Sequence, residues 1–315
     1  MPKYTVLIFY MYATIDEPKK LADHLRAVAE KLSIKGRILV AHEGINGTVE
    51  GTAGDGATTG GTAEAFAREL LASHPALVNM RIKTSAGDGQ TFPKLMVKVR
   101  NEIVGTRIPG DVADPRRQTA KHLSVDELKK WYEEGKVIGV NASDGEVVIV
   151  DMRNDYEYAS GHFRGAIDPG MRASRDLPAV LDKLEKFKNK KVLTVCTAGV
   201  RCEKMSAYLM SRGFADVYQL EDGMHGYMQK YPGQDFLGTL YTFDNRVTMD
   251  FGGAREIIGK CRLCGASSER YLNCANSICH LHFLACEVCA PKGTETATYC
   301  SEECRRVNAG MGAKV

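Results

Sequence analysis

The stretch Val192–Lys204, VLTVCTAGVRCEK, holds the residues best suited to chemistry. Val192, Leu193 and Val195 mark a buried strand that ends at Cys196. Thr197, Ala198, Gly199 and Val200 form a short glycine-containing loop before Arg201. Met205, Tyr208 and Leu209 are apolar at helical spacing, which predicts a helix over Glu203–Arg212. A cysteine at the mouth of such a loop faces backbone N–H groups beside a helix N-terminus, a concavity that favours an anion. The same field lowers a thiol pKa, and the thiolate is the reactive form. Arg201 adds a permanent cation with a planar donor fork. Free cysteines are commonly buried for packing alone, but a glycine-containing loop closed by an arginine favours the reactive reading of Cys196. Cys202 is either a resolving thiol for Cys196 or a partly buried cysteine at the helix start, with nothing in the residues to choose between them.

A second set of candidates lies near the C-terminus. Cys261, Cys264, Cys274, Cys279, Cys286, Cys289, Cys300 and Cys304 fall as C-x2-C, C-x4-C, C-x2-C and C-x3-C. Zinc takes four soft ligands in a tetrahedron, and each such pair presents two sulfurs from one knuckle. Four pairs make up to two structural zinc sites, paired sequentially or interleaved, and His280 or His282 could stand in for a thiolate. Disulfides are the alternative. The N-terminal run MPKYTVLIFYMYA has no convincing small-residue cleavage site and reads as a strand, from Val6, Ile8, Phe9, Tyr10 and Tyr12. The expected compartment is the cytoplasm, where ten cysteines point to metal and catalysis. So small a module buries little apolar surface, and bound metal would supply its folding free energy.

These residues need a scaffold. A chain of 315 residues predicts two or three domains. Hydrophobic content of 44% and charged content of 26% are ordinary for a globular protein, and a net charge of +3 does not by itself announce a nucleic-acid binder. No run approaches the ~18 apolar residues that would span a membrane. Residues 1–110 read as an α+β domain: strand Tyr4–Tyr12, amphipathic helix Pro18–Leu32, strand Arg37–Ala41, a strand from Gly47, a Gly/Thr-rich loop Gly51–Thr62, a helix Ala63–Ser73, and extended segments Met80–Thr84 and Lys94–Arg100. The order β-α-β-β-α-β is ferredoxin-like (acylphosphatase-like). AHEGINGTVEG (Ala41–Gly51) could bring His42, Glu43 and Asn46 to a ligand, but a hairpin turn between two strands is the better reading. Residues 111–123 form a polar linker. From Ser124, an N-cap ahead of Asp126 and Glu127, to residue 240, strands alternate with helices: EVVIVD, a helix from Asp155, GHFRGAI as a turn, a helix Leu177–Phe187, the Cys196 strand and its helix, and Val217–Leu220. That alternation predicts a doubly wound parallel sheet, which binds ligands at the carboxyl ends of its strands, where Cys196 falls. Residues 241–315 hold the cysteine-rich module.

The Cys196-x4-Arg201 loop resembles that of the rhodanese family, in which the cysteine carries a persulfide. The related dual-specificity phosphatases have one more loop residue, so the shorter count argues against phosphate-ester hydrolysis. Asp151-Met152-Arg153 and GHFRGAI (Gly161–Ile167) resemble upstream rhodanese elements. The resemblance implies structural roles for Asp151 and His162, while Arg153 would pair with Asp155 or Glu157 or line the site. AHEGINGTVEG, FPKLMVKVRNEIVG (Phe92–Gly105), DMRNDYEYASGHFRGA, CTAGVRCEK and the cysteine-rich tail, in this order, resemble the bacterial tRNA uridine hydroxylase family, a rhodanese-domain group, over nearly the full length. The resemblance implies an enzyme that makes 5-hydroxyuridine at the wobble position of tRNA with molecular oxygen, its essential cysteine at Cys196 and a second loop cysteine at Cys202. The chain departs from that pattern at Ala198, where glycine is usual, and at Asp222-Gly223, where a Gly-Gly pair is usual.

Local chemistry alone stops short of that reaction. A cradled thiolate suits persulfide sulfur transfer, so a sulfurtransferase is the competing expectation, and a zinc-dependent adaptor a third. No defensible 2-His-1-carboxylate iron triad or flavin motif is visible, and the electron donor is unassigned. Cys196 could instead add to C6 of uracil. RNA requires positive surface, with candidates at Lys94, Lys98, Arg100 and Arg107, at Arg116-Arg117, and at Lys186, Lys188, Lys190 and Lys191, each run more often a solvated face.

Overall fold

The computed structural model describes residues 3–54, 60–140, 145–293 and 297–308; residues 55–59 of the Gly/Thr-rich loop lie outside the described residues. The N-terminal run is β1 (Tyr4–Tyr12), followed by α1 (Pro18–Lys31), β2 (Lys35–Ala41), β3 (Gly44–Thr52), α2 (Thr62–Ala72), β4 (Ile82–Gly87) and β5 (Leu95–Val99). The sheet order β4-β1-β3-β2 is the ferredoxin-like arrangement, and β5 extends it in parallel beside β2. Side chains alternate between faces with a period of two. Leu7 and Phe9 of β1, Ile38 and Val40 of β2, and Ile45 and Val49 of β3 therefore pack under the two helices, against Leu25, Phe66 and Leu70. Ile8, Tyr10 and Tyr12 take the opposite, helix-free face. Ala41–Gly51 forms the expected hairpin, with Ala41 opposite Gly44 across a two-residue turn.

The second unit contains β6 (Lys121–Leu123), α3 (Val125–Glu133), β7 (Val147–Asp151), α4 (Asp155–Ser160), β8 (Gly161–Phe163), α5 (Leu177–Val180), β9 (Lys191–Val195), α6 (Val200–Ser211), β10 (Asp216–Leu220) and α7 (Gly223–Lys230). The sheet order is β6-β10-β9-β7, all parallel. Both faces are covered, which is why β7 opens with four apolar residues in succession and β9 is apolar from Val192 to Val195 except for the buried Thr194. Val148, Val150 and Val192 meet Met205 and Leu209 of α6. Val147, Ile149, Leu193 and Val195 meet Leu128, Tyr132, Met224 and Tyr227 on the other side. Ser124 and Glu127 form a reciprocal capping box that starts α3.

Several details differ from the sequence expectations. Gly161–Phe163, read as part of a turn, is strand β8, and Arg153 pairs with Asp151. Lys121–Leu123, within the span read as linker, is the edge strand beside β10, and Ile108, Ala113 and Ala120 join the second unit's core. The single helix expected over Leu177–Phe187 is the one-turn α5 followed by two 3-10 turns, although Leu177, Leu181 and Leu184 are all buried as the spacing required. The helix after Cys196 starts three residues early, at Val200, which puts Arg201 and Cys202 in its first turn.

Beyond residue 230 the chain returns through β11 (Phe236–Gly238), antiparallel to β8, and a small hairpin of β12 (Leu240–Tyr241) and β13 (Thr248–Met249). The cysteine-rich module holds the pair β14 (Tyr271–Asn273) and β15 (His282–Leu284), then α8 (Glu302–Asn308). Tyr241 packs edge-to-face on Tyr271 at 5.2 Å, and the Tyr271 hydroxyl donates to the Tyr156 carbonyl, so the module sits against α4. No helix among the described residues is long and apolar enough to cross a membrane.

Candidate active site

Cys196 follows the last residue of β9 and is fully buried. The chain then turns through Thr197–Gly199 into α6, and two glycines make that turn possible. Gly199 sits at φ +104°, and a Cβ there would lie 2.5 Å from the Tyr10 hydroxyl. Gly223, at φ +64°, lets the start of α7 press on the loop; a Cβ would come within 2.8 Å of the Cys196 and Thr197 carbonyls and the Ala198 nitrogen. The N–H of Met224 donates to the Cys196 carbonyl and that of His225 to the Thr197 carbonyl, each at 2.9 Å.

The neighbours of the sulfur are donors. The Gly199 N–H points at Cys196 Sγ from 3.2 Å. Burial opposes ionisation of this thiol, but the Cys202 thiol, the Arg201 charge and the backbone N–H groups of Cys202 and Gly199 outweigh it, holding its pKa down at about 5. Cys202 moves the other way: burial and the adjacent Cys196 push it well above the ordinary thiol range, so it stays a protonated donor. Arg201 is the residue whose placement differs most from a freely presented anion fork. It makes a bidentate pair with Glu157, at 2.6 and 2.9 Å, and donates to Thr197 Oγ1 at 3.0 Å. Its ring neighbour is Phe243, 5.7 Å from the guanidinium carbon. The Arg201 charge acts on Cys196 while its planar fork is held by the scaffold.

The upstream elements brace this arrangement. Asp151 and Arg153 form a buried pair at 2.7 Å, and Arg153 also donates to the Gly161 carbonyl at 2.6 Å. His162 stacks on Tyr158 at 3.8 Å.

The first domain supplies contacts that the sequence did not reveal. Its helix-free sheet face lies on the Cys196 loop. Lys83 Nζ donates to the Ala198 carbonyl at 2.8 Å and pairs with Asp222 at 3.3 Å. The Tyr12 hydroxyl donates to the Val200 carbonyl and the Tyr10 hydroxyl to Glu203, each at 3.4 Å. Lys204 of α6 is 2% exposed and pairs with Glu43 at 3.0 Å; Glu43 in turn accepts from the Ile103 N–H at 2.9 Å. Glu43 comes from the AHEGING hairpin, so that turn is both a hairpin and an inter-domain clamp. The two departures from the family pattern are accommodated. Ala198 is not at positive φ, and Asp222 is left-handed at φ +63° but bonded through its carboxylate to Arg81 and Lys83.

Between the two domains and the β12–β13 hairpin lies a cavity of about 350 Å³. Cys196 lines it together with Arg37, Asn46, His225, Phe243 and Arg246. Arg246 is pinned by Asp244 at 2.6 and 2.9 Å. Arg37 has no side-chain partner among the described residues, and burial alone lowers its pKa. The basic run Lys186–Lys191 lies at the opposite end of β9, about 16 Å from Cys196 at ~3.3 Å per residue.

The cysteine-rich module resolves the pairing question. Cys261, Cys264, Cys286 and Cys289 converge in one group, and Cys274, Cys279, Cys300 and Cys304 in another, with the sulfurs of each group within 4.8 Å of one another. The groups are interleaved, and neither His280 nor His282 belongs to them. Observed S–S separations of 3.6 Å for Cys264–Cys286 and 3.7 Å for Cys279–Cys300 match the ~3.8 Å that a tetrahedron with ~2.3 Å metal–sulfur bonds requires.

Three family profiles match in chain order: the UPF0176 acylphosphatase like domain over residues 4–103, the Rhodanese-like domain over 124–230 and the Rhodanase C-terminal domain over 237–305. Among curated proteins, the tRNA uridine(34) hydroxylase of Cytophaga hutchinsonii is 36% identical, covering 97% of this chain and 91% of the relative. The protein of the same name from Bacillus velezensis is 39% identical, covering 99% and 91%. That from Staphylococcus aureus is 40% identical, covering 96% and 90%. By full-length similarity and by the order of its three domains, the chain belongs to the tRNA uridine(34) hydroxylase family.

Proposed function

We propose that this chain hydroxylates the wobble uridine of tRNA to 5-hydroxyuridine in the cytoplasm, with molecular oxygen as the source of the new hydroxyl and Cys196 as the reacting side chain. The observation that carries the reading is a buried cysteine, its sulfur facing the Gly199 N–H, on the wall of a cavity of about 350 Å³ closed by a second domain. In this reading the Cys196 thiolate forms a bond to C6 of uracil, and the C5=C6 electron pair moves toward C5 and the O4 enolate, which makes C5 the nucleophilic carbon; C5 takes one oxygen atom of O2, an external two-electron donor and two protons reduce the other to water, and loss of the C5 proton expels the thiolate and restores the C5=C6 bond. Cys202 steadies the thiolate as a donor. Arg201 supplies its counter-charge, and Arg37 is available to a phosphate of the RNA backbone. The two groups of four cysteines would each hold a zinc ion, which gives the module a folded frame and takes no part at Cys196.

The test is mass spectrometry of tRNA nucleosides from a deletion strain carrying either the wild-type chain or Cys196→Ser. Wild type restores 5-hydroxyuridine and its derivatives, and Cys196→Ser does not. Loss of a thionucleoside in place of 5-hydroxyuridine would instead assign sulfur transfer. Addition at C6 is checked with anticodon stem-loop RNA carrying 5-fluorouridine, where absence of a covalent Cys196 adduct counts against that step.

A further inference from the structure

His225 is 1% exposed, and both its ring nitrogens are buried without a hydrogen-bond partner among the described residues. Buried polar groups are nearly always paired, so an imidazole with neither nitrogen satisfied marks a place where a ligand group belongs. The ring lines the same cavity as Cys196. Its position is set from two sides. The backbone N–H is bonded to the Thr197 carbonyl at 2.9 Å, and Phe251 packs edge-to-face on the ring at 5.2 Å.

We propose that His225 contacts the substrate directly, donating a hydrogen bond from its imidazole to a carbonyl oxygen of the uracil lodged beside Cys196. The inference rests on the uridine reading above and names the group that recognises the base. Uracil offers two carbonyl acceptors and one N3–H donor, and a neutral imidazole offers one donor and one acceptor. Burial, with the nearby charges of Lys83 and Arg246, holds His225 neutral down to about pH 4, so it meets an uncharged base without a buried charge. Of the other strong donors on the cavity wall, Arg201 is committed to Glu157 and Arg246 to Asp244, while Arg37 is uncommitted and is assigned above to the RNA backbone. Histidine is also the residue least visible to sequence inspection here, because it lies in a helix between the buried Met224 and Tyr227.

The experiment compares wild type, His225→Phe and His225→Gln on anticodon stem-loop RNAs with uridine, 2-thiouridine or 4-thiouridine at the wobble position. Trp131 fluorescence during urea denaturation verifies that each variant is folded. His225→Phe keeps the ring that packs on Phe251 and removes the donor. It should lower kcat/KM on the uridine RNA by about 10- to 100-fold, while RNA affinity, dominated by phosphate contacts, changes by less than about threefold. His225→Gln should recover most of the loss. On one of the two thio-substituted RNAs, where the acceptor is weak in both enzymes, the penalty of His225→Phe should shrink to less than about threefold. An equal penalty on all three RNAs, or none on uridine, overturns the proposal. A second readout does not depend on turnover: the side-chain 15N resonances of His225 should shift on adding uridine RNA, and cytidine RNA, which keeps the C2 carbonyl and lacks the C4 carbonyl, should shift them only if the contact is to O2. If wild type modifies nothing yet His225 shifts, the hydroxylase reading fails and the base contact stands. A silent His225 in the presence of bound uridine RNA refutes the contact.

Discussion

Replacing Arg201 by methionine is the sharpest test of how the loop is held. The Arg201–Glu157 pair is bidentate, and Glu157 is fully buried. Without the guanidinium, Glu157 keeps one identified donor, the Asn154 N–H at 3.0 Å. Removing one partner of a buried ion pair leaves an uncompensated charge, at a typical cost of about 3–5 kcal/mol. At an m-value of about 2 kcal/mol per molar urea, a loss of 4 kcal/mol moves the unfolding midpoint down by about 2 M. The chain has one tryptophan, Trp131, which lies in α3 and packs on Tyr218 of β10 at 5.6 Å. Its fluorescence therefore follows unfolding of the rhodanese unit without contribution from the other two. Glu157→Gln keeps an acceptor for the Asn154 N–H, and the double variant Arg201→Met with Glu157→Gln removes both charges. The double variant should be more stable than the sum of the two single losses predicts by about 1–3 kcal/mol. A midpoint shift below about 0.5 M for Arg201→Met, or simple additivity in the double variant, would refute the claim that Arg201 acts as the scaffold counter-ion of Glu157.

Three further outcomes follow from the same contacts. Thiolate absorbance at 240 nm, taken as wild type minus Cys196→Ser, should rise as pH increases through about 5; Cys202→Ala removes a donor to the anion, so the midpoint should move up by about 1–2 pH units, and an unmoved midpoint removes Cys202 from that role. Gly199→Ala should weaken the domain interface, because the left-handed backbone and the Tyr10 hydroxyl both oppose a Cβ; adding Tyr10→Phe should restore part of the lost stability, and no recovery would place the whole effect in the backbone. Metal analysis should find two zinc ions per chain, and a strong chelator should abolish NMR dispersion for residues 260–308 while the Trp131 transition persists; full dispersion after chelation would show that the module folds without metal.

Much of the frame was legible in the sequence because it is local. The β9–loop–α6 unit combines a β-branched run, a glycine at positive φ and a helical repeat, each a short-range signal. The cysteine spacing revealed metal-ligand pairs but not their partners, because interleaving depends on how β14 and β15 fold the knuckles together. Apolar spacing over Leu177–Leu184 identified buried residues and not their hydrogen-bond pattern, since one helix or successive 3-10 turns bury the same leucines. The contacts of Lys83, Glu43 and Lys204 were invisible because they join residues more than 100 positions apart. One signal was available: β1 carries large residues on both faces, Phe9 toward the helices and Tyr10 and Tyr12 away from them, as a strand with something to cover on each side would.

That second covered face bears on whether the unit that carries Cys196 is portable. A fragment spanning the rhodanese unit alone would retain the cores on both faces of its parallel sheet, yet it would bare the Lys204 ammonium and release the Ala198 and Val200 carbonyls to water. The surroundings of the Cys196 thiol are thus assembled jointly by two folding units. Supplied as separate polypeptides, they should complement one another, with activity saturating as the first domain is titrated onto the second.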